Sequence, residues 1–171
     1  SGGELKMIQL WVNLPAKDKM THPGYQSITA DAIPDAELPD NAGRMRVIAG
    51  RYQDVVGPAH TFSPLNVWDL QLNQSHEVTL HQPAGWSTAL VVLEGEIVVN
   101  GEGNAREGQL VVLSQKGETL HLAASSHAKV LLMAGEPLQE PIVGYGPFVM
   151  NTKAQIAEAV RDFNSGRFGQ I

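Results

Sequence analysis

The chain has 171 residues with 18 acidic against 12 basic side chains, and its net charge of -6 excludes a broad basic face for a phosphate backbone, so no direct nucleic-acid binding is expected. A hydrophobic content of 43% suits a globular chain with a core, and no apolar run approaches the roughly 20 residues that span a bilayer. Zero cysteines exclude disulfides and thiolate chemistry, leaving His, Asp and Glu as the strong metal ligands, and with no charged-then-apolar leader the chain reads as cytoplasmic.

In chain order, Gln9 to Leu14 alternates polar and apolar residues as a strand does. The Pro- and Asp-rich stretch from Pro15 to Pro39 follows, so residues 1–43 read as an N-terminal strand and extended arm. From Arg44 to about Glu140 short apolar or alternating runs are broken by turn residues, the pattern of an all-β sandwich or barrel. Trp68, Leu70 and Leu72 alternate with Asp69 and Gln71, and Val78 and Leu80 continue the pattern after a turn at Asn73 to Ser75. Thr88 to Leu93 is apolar enough to be buried on both faces; Glu96 to Val99 follows Glu94-Gly95, and Asn100-Gly101 is a hairpin dipeptide. Further strands are predicted at Gln109 to Leu113, Thr119 to Ala123 and Lys129 to Ala134. In the tail, residues 141–171, Thr152 and Gln155 form a capping-box pair, and Ile156, Val160 and Phe163 recur at helical spacing until Gly166, predicting a helix over about 152–164.

Candidate chemistry is sparse. The six histidines (His22, His60, His76, His81, His121 and His127) form no HxH, HxxH or HExxH pair. His81 and His121 fall on separate predicted strands and are the two that could meet inside a barrel, yet two neutral ligands without a carboxylate hold iron or manganese poorly. The simpler reading is hydrogen-bonded or surface histidines, so no catalytic, cofactor-binding or metal residue is assigned. Gly85-Trp86-Ser87-Thr88-Ala89 brushes against a nucleophile elbow, but a strand and not a helix follows it. Gly101-Glu102-Gly103 reads as a turn, Glu94 and Glu96 as hairpin charges, and Trp11, Phe62, Trp86 and Tyr145 as core aromatics.

Gln9-Leu10-Trp11-Val12-Asn13-Leu14-Pro15, Lys19-Met20 with Pro23 and Tyr25-Gln26, Val92-Leu93-Glu94-Gly95, Gly135-Glu136-Pro137-Leu138 with Glu140-Pro141-Ile142, Tyr145-Gly146-Pro147-Phe148-Val149-Met150-Asn151-Thr152 and the closing Gly166-Arg167-Phe168-Gly169 together resemble the pirin family. That resemblance implies an all-β cupin (RmlC-like) β-barrel or jelly roll at 44–140, flanked by the arm and one C-terminal α-helix. Pirins are bicupins, and this chain resembles the linker and C-terminal barrel only. The family's iron, or another divalent metal, is implied for an N-terminal cupin whose His-rich motifs have no counterpart here, so no cofactor is expected in this chain. Aligning Val92-Leu93-Glu94-Gly95 on the first cupin motif places His81, Pro83 and Thr88 where a metal-binding cupin carries His, His and Glu, and His121 approximates the second-motif histidine.

The opening Gly2-Gly3-Glu4-Leu5 looks like the middle of a pirin, so a fragment of a longer protein is expected, a naturally short protein being the alternative. Some pirins show quercetin 2,3-dioxygenase activity and others act as transcription cofactors through protein contacts. The resemblance therefore implies a structural and protein-interaction module whose partner is an N-terminal cupin half or a second copy of itself, a homodimer. The alternative is part of a metal-dependent dioxygenase whose active barrel lies outside this sequence.

Overall fold

The computed structural model describes residue 3 and residues 7–168. Of the sequence motifs, Gly2, Glu4, Leu5 and Gly169 lie outside the described residues. The strands run β1 (Asp35–Glu37), β2 (Gly43–Ala49), β3 (Arg51–Tyr52), β4 (Val55–Val56), β5 (Leu65–Leu72), β6 (Glu77–His81), β7 (Ser87–Glu94), β8 (Glu96–Val99), β9 (Gly103–Arg106), β10 (Leu110–Val112), β11 (Thr119–Ala124), β12 (Ala128–Gly135), β13 (Val143–Tyr145) and β14 (Phe148–Met150), followed by α1 (Lys153–Asn164). The chain divides into two compact units, Tyr25–Leu138 and a second built from Ser1–Gly24 with Gln139–Ile171.

The larger unit is a jelly-roll sandwich. One sheet has the order β1-β2-β5-β12-β7-β10 and the other β6-β11-β8-β9, with antiparallel pairing throughout. Strand period two decides which residues meet between them. Met45 and Val47 from β2, Trp68 and Leu70 from β5, Leu80 from β6, Leu90 and Val92 from β7, Ile97 from β8, Leu122 from β11 and Val130 and Leu132 from β12 are almost wholly buried in one apolar cluster. Asp69, on the opposite phase of β5, is buried as well, and Arg46 Nε lies 3.5 Å from its Oδ2. The Asn100-Gly101 turn between β8 and β9 has positive φ at both residues (51° and 70°), as its hairpin role requires.

Two sequence expectations are corrected here. Gln9–Leu14 forms no strand: the segment is irregular, with Leu10, Trp11 and Val12 46–67% exposed and Pro15 closing it. Its alternation is genuine, but among the described residues no strand pairs with it, and a lone strand is not stable in water. The arm, expected as an extended segment outside the barrel, contributes β1 to the edge of the larger sheet and buries Leu38 and Ala42 in the core.

In the smaller unit, Lys19 Nζ donates to Asn13 Oδ1 (2.6 Å) and to the Val149 carbonyl (3.0 Å), fastening the irregular segment to the β13–β14 hairpin. Burial lowers the Lys19 pKa from its ordinary value, an effect opposed by the charge of Glu140. The predicted helix forms: Thr152 Oγ1 accepts from the Gln155 N–H, and Gln155 Oε1 accepts from the Asn151 N–H. Phe148 meets Phe163 and Phe168 edge-on, with centroids 5.9 and 5.3 Å apart. Among the described residues no helix is long and apolar enough to cross a membrane.

Candidate functional site

At one end of the sandwich β6 and β10 finish while β7 and β11 begin, and the space between them is a cavity of about 310 Å³. The phase of each strand selects what enters it. On β6 the inward positions are Val78 and Leu80, and the next residue on that phase is Gln82, just past the strand end and 7% exposed. Thr88 from β7 and Leu120 from β11 are the corresponding buried residues opposite, and Trp86 adds a half-buried indole packed on the core. The loop after β10 supplies Lys116, and the acidic groups on this wall are Glu102 and Glu118.

The polar contacts are ordered. Arg51 N–H donates to Asn66 Oδ1 at 3.1 Å, which commits the other end of that amide, Nδ2, to donate to Gln82 Oε1 at 2.8 Å. With its oxygen engaged, Gln82 is left with Nε2 as a buried donor that has no acceptor among the described residues. Three further bonds lock the wall: the Gln82 N–H to the Glu118 carbonyl (2.9 Å), the Gly85 N–H to the Gln115 carbonyl (3.1 Å), and Gln115 Nε2 to Ser87 Oγ (2.8 Å). That last contact gives Ser87 a structural hydrogen bond, and β7 begins at Ser87, so the elbow motif has no nucleophile geometry.

His81 and His121 do not meet inside the sandwich. In the β6–β11 ladder His81 stands opposite Thr119 and His121 opposite Thr79, both on the exposed phase. His121 Nδ1 lies 2.8 Å from Thr79 Oγ1, and its backbone N–H donates to Asn100 Oδ1. Pro83 is exposed too, so of the three positions that the motif alignment gives, His81, Pro83 and Thr88, only Thr88 is buried. Gln82, between His81 and Pro83, holds the interior place, because a one-residue step on a strand exchanges faces. Sequence reading passed over Gln82. The available signal was a polar residue continuing the core-facing alternation of Val78 and Leu80.

Among the described residues no three His, Asp or Glu side chains are grouped to hold a metal. The interior of this end presents an amide and a hydroxyl, which lack the imidazole and carboxylate donors that iron takes, so these residues do not fit such an ion. The aromatics divide. Trp86 packs on the core as expected, but Trp11 (67% exposed), Phe62 (50%) and Tyr145 (68%) do not. Glu96 is a hairpin charge with partners of its own, Arg106 Nε at 3.3 Å and Asn104 Nδ2 at 3.0 Å.

A family model, the Pirin C-terminal cupin domain, matches residues 67–169. The chain belongs to the pirin family. A Pseudomonas aeruginosa protein provisionally named a quercetin 2,3-dioxygenase is 49% identical over 168 residues, covering 98% of this chain and 58% of its own length. Rat pirin is 32% identical over 167 residues, covering 95% of this chain and 56% of its own. Among solved structures, a quercetin 2,3-dioxygenase from Acinetobacter baumannii superposes with a TM-score of 0.88 at 51% identity, over 94% of this chain and 56% of that one. This pirin chain thus spans little more than half the length of the relatives it matches, and its jelly roll is the cupin that the family model describes.

Proposed function

We propose that this pirin chain is a cupin without a metal site, a structural and interaction module that packs against a second cupin. One observation carries the reading: the interior positions at the open end are Leu80, Gln82, Thr88 and Leu120, while the only histidines of the β6–β11 ladder face outward. Dioxygenation of a flavonol needs a redox metal with open coordination positions. On this reading iron or another divalent ion belongs to an N-terminal cupin, and any quercetin 2,3-dioxygenase activity belongs to that barrel. The names of the Pseudomonas and Acinetobacter relatives, with their greater length, support a dioxygenase as the whole of which this module is part.

The chain alone, supplied with Fe(II), is expected to oxidise quercetin no faster than free iron, followed by loss of quercetin absorbance. Metal-dependent turnover above that background, abolished by His121→Ala, overturns the reading.

Each unit is proposed to offer an apolar surface of its own to a partner: Leu110 (60% exposed) and Val112 (72%) on the edge strand β10 in the larger unit, and Leu10, Trp11 and Val12 in the smaller one. Apolar area contributes about 25 cal/mol per Å² when buried, so these residues favour association, with a second copy of the chain when no other cupin is present. Light scattering across a dilution series is expected to show a homodimer that Trp11→Lys weakens. A strict monomer at high micromolar concentration removes this part of the proposal.

A further inference from the structure

A second cavity, also of about 310 Å³, lies wholly within the smaller unit, where the irregular segment before Pro15 meets the β13–β14 hairpin. Its lining is mostly apolar, with Trp11, Val12 and Leu14 from the segment, Phe148 and Met150 from the hairpin, and Phe168 from the stretch after α1. Phe148 and Phe168 meet edge-on, which fixes that part of the wall before anything enters. One cation stands in this lining, Lys19, and among the described residues no carboxylate does.

Lys19 Nζ lies 2.6 Å from Asn13 Oδ1 and 3.0 Å from the Val149 carbonyl, and both of those residues line the cavity, which places the ammonium on its wall. An ammonium has three donors, and these two neutral oxygens take two of them. Glu140 acts on Lys19 through its charge, while its Oε2 takes the Ala16 N–H at 2.7 Å and Asn151 Nδ2 at 3.1 Å. A half-buried cation whose hydrogen-bond partners are neutral lacks a counter-ion in contact, and burial accordingly lowers its pKa.

We infer that this cavity is a binding site for a small apolar carboxylate, its anionic head on Lys19 and its chain or ring against Trp11 and Phe148. The charge follows from the lining, whose one ionic group is a partly desolvated ammonium with a donor to spare, and a single cation matches a single carboxylate. The apolar remainder follows from Trp11 and Val12, 67% and 51% exposed, which leave area for a ligand to cover. The volume sits at the small end of ordinary ligand sites and suits a short acid. The inference goes beyond the module reading, since neither a metal nor a second cupin takes part.

Octanoate is the probe, with 1-octanol and octylammonium as the neutral and cationic compounds of the same chain length. The full chain is titrated with each and followed by the Trp11 indole N–H resonance, the Lys19 side-chain resonances and calorimetry. Light scattering on the same samples keeps binding apart from self-association. Octanoate is expected to shift both sets of resonances saturably, and 1-octanol and octylammonium to bind at least about tenfold more weakly. Val12→Glu, which puts a negative charge at an exposed lining position, is expected to weaken octanoate about tenfold at an unchanged melting temperature. Lys19→Met is expected to abolish the preference for octanoate over 1-octanol. Because that variant also loses the bonds to Asn13 and Val149, the comparison of the two compounds on the unsubstituted chain decides the matter if it does not fold. Equal affinity for octanoate and 1-octanol overturns the inference, as does the absence of a saturable Trp11 shift with octanoate at millimolar concentration. Either failure leaves the module reading standing, since that reading is tested by metal retention and quercetin turnover.

Discussion

Gly95→Ala is expected to destabilise the protein by at least about 3 kcal/mol, read from urea unfolding, while Gly101→Ala costs only about 1–2 kcal/mol. Both glycines have left-handed backbone, φ +79° and +70°, so both substitutions incur the same conformational penalty. They differ in space. A Cβ on Gly95 would sit 2.2 Å from the His127 carbonyl oxygen, 2.7 Å from Ser126 Oγ and 3.0 Å from Ala128 Cα, whereas one on Gly101 meets nothing within 4 Å. The β7–β8 turn is pressed onto the start of β12, where the Glu96 N–H donates to Ser126 Oγ, so relief would require parting the two sheets' connecting turns. Equal effects at the two glycines would show that the close approach contributes nothing.

Trp68→Ala is expected to cost about 3–5 kcal/mol. Trp68 is 2% exposed at the centre of β5, pairs with Leu132 and Val47 across the two neighbouring strands, and meets Tyr52 edge-on with centroids 5.4 Å apart. Burial of Tyr52 in the same place raises its phenol pKa above the ordinary value. Trp68 Nε1 has no acceptor among the described residues, so Trp68→Phe removes an unsatisfied donor along with part of the ring and is expected to cost less than about 1.5 kcal/mol. A phenylalanine variant as unstable as the alanine one would contradict this division between ring burial and orphaned donor.

The strands of the sandwich were legible because one buried face writes itself into sequence as alternation. Trp68-Leu70-Leu72, Glu96 to Val99 and the Asn100-Gly101 turn all appear where the pattern places them. The helix was legible from its cap, Thr152 with Gln155. Gln9–Leu14 shows the limit, since alternation reports a surface that suits a ladder and says nothing about whether a neighbour supplies one. β1 was hidden for the opposite reason: Asp35–Glu37 is short and polar, and its pairing with β2 does not depend on an apolar face.

At the candidate site the residue that catches the eye and the residue that is buried are neighbours. His81 attracts attention as a ligand type, but the phase set by Val78 and Leu80 turns it outward and brings Gln82 in. The orphaned Nε2 could not be anticipated, because it depends on Asn66 from β5 and Arg51 from β3, elements that meet Gln82 only in the folded chain.

The most direct test of the account is the metal content of the purified chain after incubation with Fe(II), Mn(II) or Ni(II) and exhaustive dialysis. With an interior of Leu80, Gln82, Thr88 and Leu120 and both ladder histidines outside, far less than one metal ion per chain should be retained, and His81→Ala and His121→Ala should leave that residue of metal unchanged. About one ion per chain surviving dialysis and lost in either histidine variant would contradict the reading of this pirin cupin as a domain without a metal site.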